Sequence, residues 1–247
     1  MEKVSSLIRK MAGKSKKYNT AVILAAGSGK RLGDDRGKQF VEIDGVPVFV
    51  RSIDAFERCP EIHEIILVTR AQDITGCRNI AAEYGFKKLT KIVAGGDTRQ
   101  SSAERGFEVV LPETDFVAIH DAARCLVTPE MISAVMEKAY VTGAAVAGTK
   151  AVDTLKREDL TGNIAETVDR KMMWQVQTPQ VFMADMYRAA MYMAKKDSFE
   201  GTDDSSLAER LGFKVALVDC GKTNMKITYP EDTVIAEAIL GMRGREK

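Results

Sequence analysis

The residues best suited to chemistry lie near the start of the chain. There AVILAAGSGKRLGDDRGKQFVEIDG, at Ala21–Gly45, joins an apolar run to a glycine turn and then to spaced cations. Ala25, Ala26, Gly27 and Gly29 have side chains small enough for a ligand to touch the backbone. Successive N–H groups in such a concavity favour anions, and Arg31 and Lys38 add mobile positive charge beside them. That is the chemistry of a bound nucleoside triphosphate. The turn is not GxxxxGK(S/T), and the spacing GxGxxG fails because Leu32 stands where its third glycine belongs. Taken alone, the segment is equally compatible with an ordinary βα turn flanked by solvated cations.

Further segments narrow the reading: GGDTRQSS at Gly95–Ser102, HDAAR at His120–Arg124, TVDRKMMWQVQTPQVF at Thr167–Phe182 and NMKITYPED at Asn224–Asp232. The glycine segment resembles the opening of the sugar nucleotidyltransferases. The whole set, in this order from about Ala21 to Leu240, resembles the 2-C-methyl-D-erythritol 4-phosphate cytidylyltransferases. The resemblance implies transfer of the cytidylyl group of CTP to 2-C-methyl-D-erythritol 4-phosphate with release of pyrophosphate, a step of the non-mevalonate isoprenoid pathway.

It also implies roles for particular residues. Arg31, Lys38 and Lys226 become the candidate catalytic cations, the first two stabilising charge on the α-phosphate and Lys226 lying close to both substrates' phosphates. Ala25, Ala26, Gly27 and Gly29 would hold the triphosphate, Gly96, Asp97 and Ser102 the cytosine, and Asp121 and Ala122 the ribose. Arg124, Thr154, Arg170 and Thr178 would hold the acceptor. Mg²⁺ is the implied cofactor, ligated mostly by phosphate oxygens and water, with Asp121 as its candidate protein ligand. A homodimer with shared active sites is implied as well, the segment 152–174 forming an arm that reaches into the partner's site. Two residues depart from the family pattern, since Gly37 and Cys125 each stand where Pro is usual.

Each motif also has a plain structural reading. GGD makes a tight turn before a helix capped near Ser101, and Arg99 braces that loop. Asp121 caps a turn at a strand end, Arg170 forms a simple salt bridge, and 152–174 is a surface hairpin. Asp203 and Asp204 cap the helix that follows, Asn224 positions Lys226, and Cys125, next to Arg124, is a candidate cleft-lining thiol. A phosphate monoester with a second pKa of about 6 is mostly dianionic at neutral pH and needs no strong general base. No Ser-His-Asp or Cys-His nucleophile constellation is evident. A ribitol 5-phosphate cytidylyltransferase is the nearest alternative, and a nucleotide-sensing protein without turnover is a more distant one.

These residues need a scaffold that brings them together. In 247 residues, with 36 Lys and Arg against 35 Asp and Glu, the chain has room for one well-buried α/β core and no bulk charge that advertises nucleic acid. Four scattered cysteines and two histidines argue against structural zinc and for free thiols in a reducing cytoplasm. No apolar run approaches the roughly 20 residues of a membrane span. The basic segment 1–20 reads as a tail rather than a targeting signal, followed by the nucleotidyltransferase domain at 21–242 and a short tail at 243–247.

Alternating apolar runs and helical patterns predict a single-domain, Rossmann-like, mostly parallel sheet flanked by helices. The expected strands are Ala21–Ala25, Glu64–Thr69, Lys91–Val93, Phe116–His120, Ala144–Thr149 and Lys214–Val218. Helices are expected at Val48–Arg58, Ile74–Tyr84, Ser101–Leu111, Pro129–Thr142, Ala184–Lys195, Ser205–Leu211 and Pro230–Met242. Ligands of such sheets bind beyond the carboxyl ends of the strands, where three of the motifs fall.

Overall fold

The computed structural model describes residues 16–27, 29 and 37–245, with the backbone alone for Lys38. Strand β1 (Asn19–Ala25) is buried at every position, as a Val- and Ile-containing run must be when helices cover both faces of a sheet. It pairs in parallel with β4 (Glu64–Thr69) on one side and β6 (Phe116–Asp121) on the other. Beyond β4 lies parallel β5 (Leu89–Ala94). Beyond β6 lies β10 (Trp174–Met183), antiparallel both to β6 and to β7 (Ala144–Lys150), and β11 (Ala216–Asp219) adds a parallel edge to β7. The result is one seven-stranded, mostly parallel sheet of order β11-β7-β10-β6-β1-β4-β5.

Helices α1 (Val48–Arg58), α2 (Ile74–Tyr84), α3 (Arg99–Glu108), α4 (Pro129–Thr142), α5 (Ala184–Lys196), α6 (Asp204–Arg210) and α7 (Glu231–Arg245) complete the layers. Local chemistry sets their ends. Thr128 accepts the Met131 N–H, Pro129 occupies the first turn of α4, and Gly143 closes it in the left-handed conformation. Helix α3 starts at Arg99, two residues before the expected Ser101, because Thr98 and Ser101 form a reciprocal capping box.

The approach of α3 to the sheet depends on one missing side chain. A Cβ on Gly106 would collide with Val22 Cγ1 on β1 and lie 2.6 Å from Val68 Cγ2 on β4. Gly106→Ala is therefore expected to lower stability by about 1–3 kcal/mol through overpacking, despite alanine's better helix propensity. Chemical denaturation checks it, and an unchanged or raised midpoint would show that α3 can shift freely.

Three features depart from the sequence expectation. The strand β10 was absent from it, because Pro179 and three glutamines make the run look unlike a central strand. The structure accommodates Pro179 at a register shift between Val176 and Gln180, where the Thr178–Pro179 bond is cis. A small hairpin, β2 (Glu42–Ile43) and β3 (Val46–Pro47), turns at Asp44-Gly45, both with positive φ. The segment after β7, in line with its reading as a surface hairpin, holds the exposed antiparallel pair β8 (Leu155–Glu158) and β9 (Ile164–Val168), followed by a short turn of helix at Arg170–Met172. Cys125 lines neither of the two clefts described below but packs with Ile43, Val48, Leu126, Ile227 and Ala236 in a small apolar cluster. Among the described residues no helix is long and apolar enough to cross a membrane.

Candidate active site

The carboxyl ends of β1, β5 and β6 open onto a cleft of about 600 Å³. Ala25, Ala26, Gly27 and Gly29 form one wall, Gly96, Asp97 and Ser102 another, and Asp121 with Ala122 the floor between them. Parallel pairing explains this meeting, because it brings three strand-to-helix turns to one sheet edge. Small residues keep the walls close. A Cβ on Gly95 would lie 2.6 Å from Ala26 Cβ, so the two turns touch only because Gly95 has none. The Gly96 N–H donates to Ser102 Oγ at 3.1 Å, while that hydroxyl donates to Thr98 O at 2.9 Å. Ser102 thus shapes the turn at this wall of the cleft.

A second cleft, of about 530 Å³, shares Arg99, Asp121 and Lys226 with the first. Arg124, Thr178 and the polar residues Gln177, Gln180 and Asp203 line it. Asp121 stands on the common wall, its Oδ1 accepting from Arg99 Nε at 2.9 Å and its Oδ2 from Lys226 Nζ at 2.7 Å. Burial opposes the charge of Asp121, yet Arg99 and Lys226 outweigh it and hold the carboxyl well below the usual carboxylate range. Arg99 in turn donates through Nη1 to Asp204 Oδ2 at 2.7 Å. Burial depresses the Arg124 guanidinium, with Asp121 only partly offsetting it, and Arg124 Nη1 donates to the carbonyl of Asn224 at 2.9 Å.

The base of the second cleft is built on β6 and β10. The Asp121 N–H donates to Thr178 Oγ1 at 3.0 Å, and the same hydroxyl lies 3.1 Å from His120 Nδ1. Burial pushes His120 down to about 3, so the ring is neutral at physiological pH and acts as a hydrogen-bonding spacer. Asn224 is fully buried and donates to Gln177 Oε1 and Thr178 O, each at 2.9 Å. Together with Ile227 N–H donating to Ala123 O at 2.8 Å, this pins the segment that presents Lys226. Asn224 therefore positions Lys226 through the backbone, not by direct contact.

The expected site residues separate into three groups. Ala25, Ala26, Gly27, Gly29, Gly96, Asp97, Ser102, Asp121, Ala122, Arg124, Thr178 and Lys226 all line one cleft or the other. Arg31 and the Lys38 side chain lie outside the described residues, although the backbone of Lys38 opens the short helix Lys38–Phe40 beside the first cleft. Thr154 and Arg170 line neither cleft of their own chain. Both are exposed, and Arg170 Nη1 donates to Val152 O.

Several contributors were not singled out. Gln39 lines the first cleft, 2% exposed, and donates to Asp73 Oδ2 at 2.6 Å; its place immediately after Lys38 was the available signal. Arg99 was read only as a loop brace, but it lines both clefts. Asp203 does cap α6, accepting from Ser206 N–H at 3.0 Å. Asp204, expected to share that role, instead turns its carboxylate to Arg99 and Tyr187.

Known proteins resemble this chain in sequence and fold. The sequence model of the 2-C-methyl-D-erythritol 4-phosphate cytidylyltransferase family matches residues 19–242. A protein of that name from Syntrophus aciditrophicus is 41% identical over 221 residues, covering 89% of this chain and 94% of its own. Another, from Caldanaerobacter subterraneus, is 43% identical over 90% of this chain and 98% of its own. The crystal structure of the 4-diphosphocytidyl-2C-methyl-D-erythritol synthase from Anaerococcus prevotii superposes with a TM-score of 0.82 at 30% identity, over 96% of this chain and 99% of that one. A match that runs through every strand of the central sheet and both clefts at its edge makes this chain a member of the 2-C-methyl-D-erythritol 4-phosphate cytidylyltransferase family.

Proposed function

We propose that this protein transfers the cytidylyl group of CTP to 2-C-methyl-D-erythritol 4-phosphate, giving 4-diphosphocytidyl-2-C-methyl-D-erythritol and pyrophosphate. One observation carries the reading. Two clefts, one suited to a nucleotide and one bearing Arg124 for a phosphate monoester, meet at a wall made of Asp121, Arg99 and Lys226. A donor α-phosphorus at that junction would have an acceptor phosphate oxygen on one side and its pyrophosphate on the other, as in-line displacement requires. Orientation and cations then supply the catalysis, and the acceptor's own dianion is the nucleophile.

Lys226 would release Asp121 to neutralise the phosphates, while Arg31 and Lys38 stand in the chain order suited to the triphosphate end. Mg²⁺ is proposed as cofactor. Asp121, a carboxylate on the wall common to both clefts, would be its protein ligand, with the substrate's oxygens and water supplying the rest. Bound there, the ion would offset phosphate charge. The proposed assembly is a homodimer in the cytoplasm. The dimer's support is the exposed arm, where Leu160, Ile164 and Met172 are left uncovered by the described residues of their own chain.

Pyrophosphate release tests the reaction. CTP with methylerythritol phosphate is expected to turn over far faster than CTP with ribitol 5-phosphate. CTP is also expected to exceed UTP and ATP by about 10²-fold or more in kcat/KM, since the Gly95–Ser102 turn offers close backbone groups that leave the wrong base edge unpaired. Comparable values for the three nucleotides would remove base selection from that turn. Preference for ribitol 5-phosphate would replace the acceptor.

A further inference from the structure

A chain of polar contacts runs from the half-buried Arg99 on the active-site wall to Asp204 and Tyr187 in the core. Asp121 Oδ1 meets Arg99 Nε at 2.9 Å, Arg99 Nη1 meets Asp204 Oδ2 at 2.7 Å, and Tyr187 donates its hydroxyl to Asp204 Oδ1 at 2.6 Å. Asp204 is 1% exposed and lines neither cleft. Tyr187 is fully buried, edge-on to Phe107 and stacked on Phe182. Helix α6, which carries Asp204, is itself tied to β10: Gln180 donates to Asp203 at 2.7 Å and accepts the Ser205 N–H at 2.9 Å.

We propose that Asp204 is a positioning residue for the reaction, acting through Arg99 to hold Asp121 in place while Lys226 exchanges the carboxylate for substrate phosphate. This rests on the cytidylyl-transfer reading above. The physical argument begins with Lys226, whose side chain is 40% exposed and ends in a single mobile ammonium. As it turns toward an incoming phosphate its hold on Asp121 weakens, and among the described residues the carboxylate then depends on Arg99. A guanidinium anchored at one end would follow whichever anion is stronger, and a triphosphate is stronger than a carboxylate. Anchored at both ends, its planar fork cannot swing.

The anchor is expensive to maintain, because a buried Asp204 carboxylate paired with a half-buried guanidinium gains little net stability over apolar packing. Positioning supplies the reason to retain it. Arg99 is also the first residue of α3, separated from the Gly95–Gly96–Asp97 turn only by the cap Thr98, so the same fork ties the proposed base-recognition turn to the strand-end carboxylate.

The test is a double-mutant cycle on the full-length protein. Asp204→Asn, which keeps the shape and removes the charge, is expected to lower kcat about tenfold while KM for CTP stays within about threefold. In an Arg99→Met background the same substitution is expected to cost nothing further, because the path it acts through is gone. Should Asp204→Asn fail to fold, Tyr187→Phe removes one donor to Asp204 and is expected to lower kcat about twofold to threefold, again only when Arg99 is present.

A wild-type kcat in the folded variant would overturn the proposal, as would an equal loss in both backgrounds. The Asp121 carboxyl ¹³C resonance gives a readout independent of turnover: Asp204→Asn is expected to shift it when Arg99 is present and not in Arg99→Met. Wild-type protein that fails to release pyrophosphate from CTP and methylerythritol phosphate would overturn the reaction reading, whereas an unshifted resonance would overturn the relay.

Discussion

Lys226→Met is expected to lower kcat by about 10²-fold or more while leaving the fold intact. The substitution keeps most of the aliphatic stem and removes only the ammonium. Asp121 retains Arg99 at 2.9 Å, so no buried charge is stranded and thermal stability should change little. The lost ammonium, however, lines both clefts, where the proposed reaction would build charge on the transferring phosphate. Lys226→Arg is expected to fall between the two, because a planar fork cannot replace a compact point charge in the same space. Steady-state pyrophosphate release checks the rates, and circular dichroism checks the fold. A well-folded Lys226→Met with kcat within about threefold of wild type would remove Lys226 from the mechanism.

The second large effect concerns Arg170. It lines neither cleft of its own chain and sits beside an exposed hairpin, so its proposed role requires a neighbouring subunit. A hairpin with little core of its own gains order mainly by packing on a partner, and a two-fold axis makes that exchange reciprocal. Arg170→Ala and Lys226→Met homodimers are each expected to be nearly inactive. Mixing and refolding the two should restore up to about a quarter of wild-type activity, since half the dimers are then mixed and each carries one intact site. Mixed dimers proven by mass spectrometry but no more active than their parents would show that Arg170 serves its own chain or none. Sedimentation showing only monomers would remove the shared site altogether.

Much of the scaffold was legible along the chain. Glu64–Thr69 and Pro129–Thr142 have the bounds their patterns suggest, because a buried parallel strand needs a continuous apolar run and a helix declares itself by its caps. Strand β10 was hidden for the opposite reason. Gln180 is buried for its hydrogen bonds to Asp203 and Ser205, so a residue that holds α6 is also one of those that disguise the strand. Thr178 shows a similar split: its place at the second cleft was expected, but its hydroxyl is already engaged with Asp121 N–H and His120.

Sequence by itself determined the family, the mostly parallel α/β class and the strand-end glycine turns, since short-range pattern and small-residue spacing are local properties of the chain. Tertiary structure alone decided that Lys226 and Asp121, 105 residues apart, share one salt bridge, and that Arg99 and Asp204, also 105 apart, share another. It also decided that Arg170 stands outside its own site. The physical reason is that a salt bridge depends on the few ångströms between two charged groups, and only the pairing of distant strands and the docking of helices against them sets that distance.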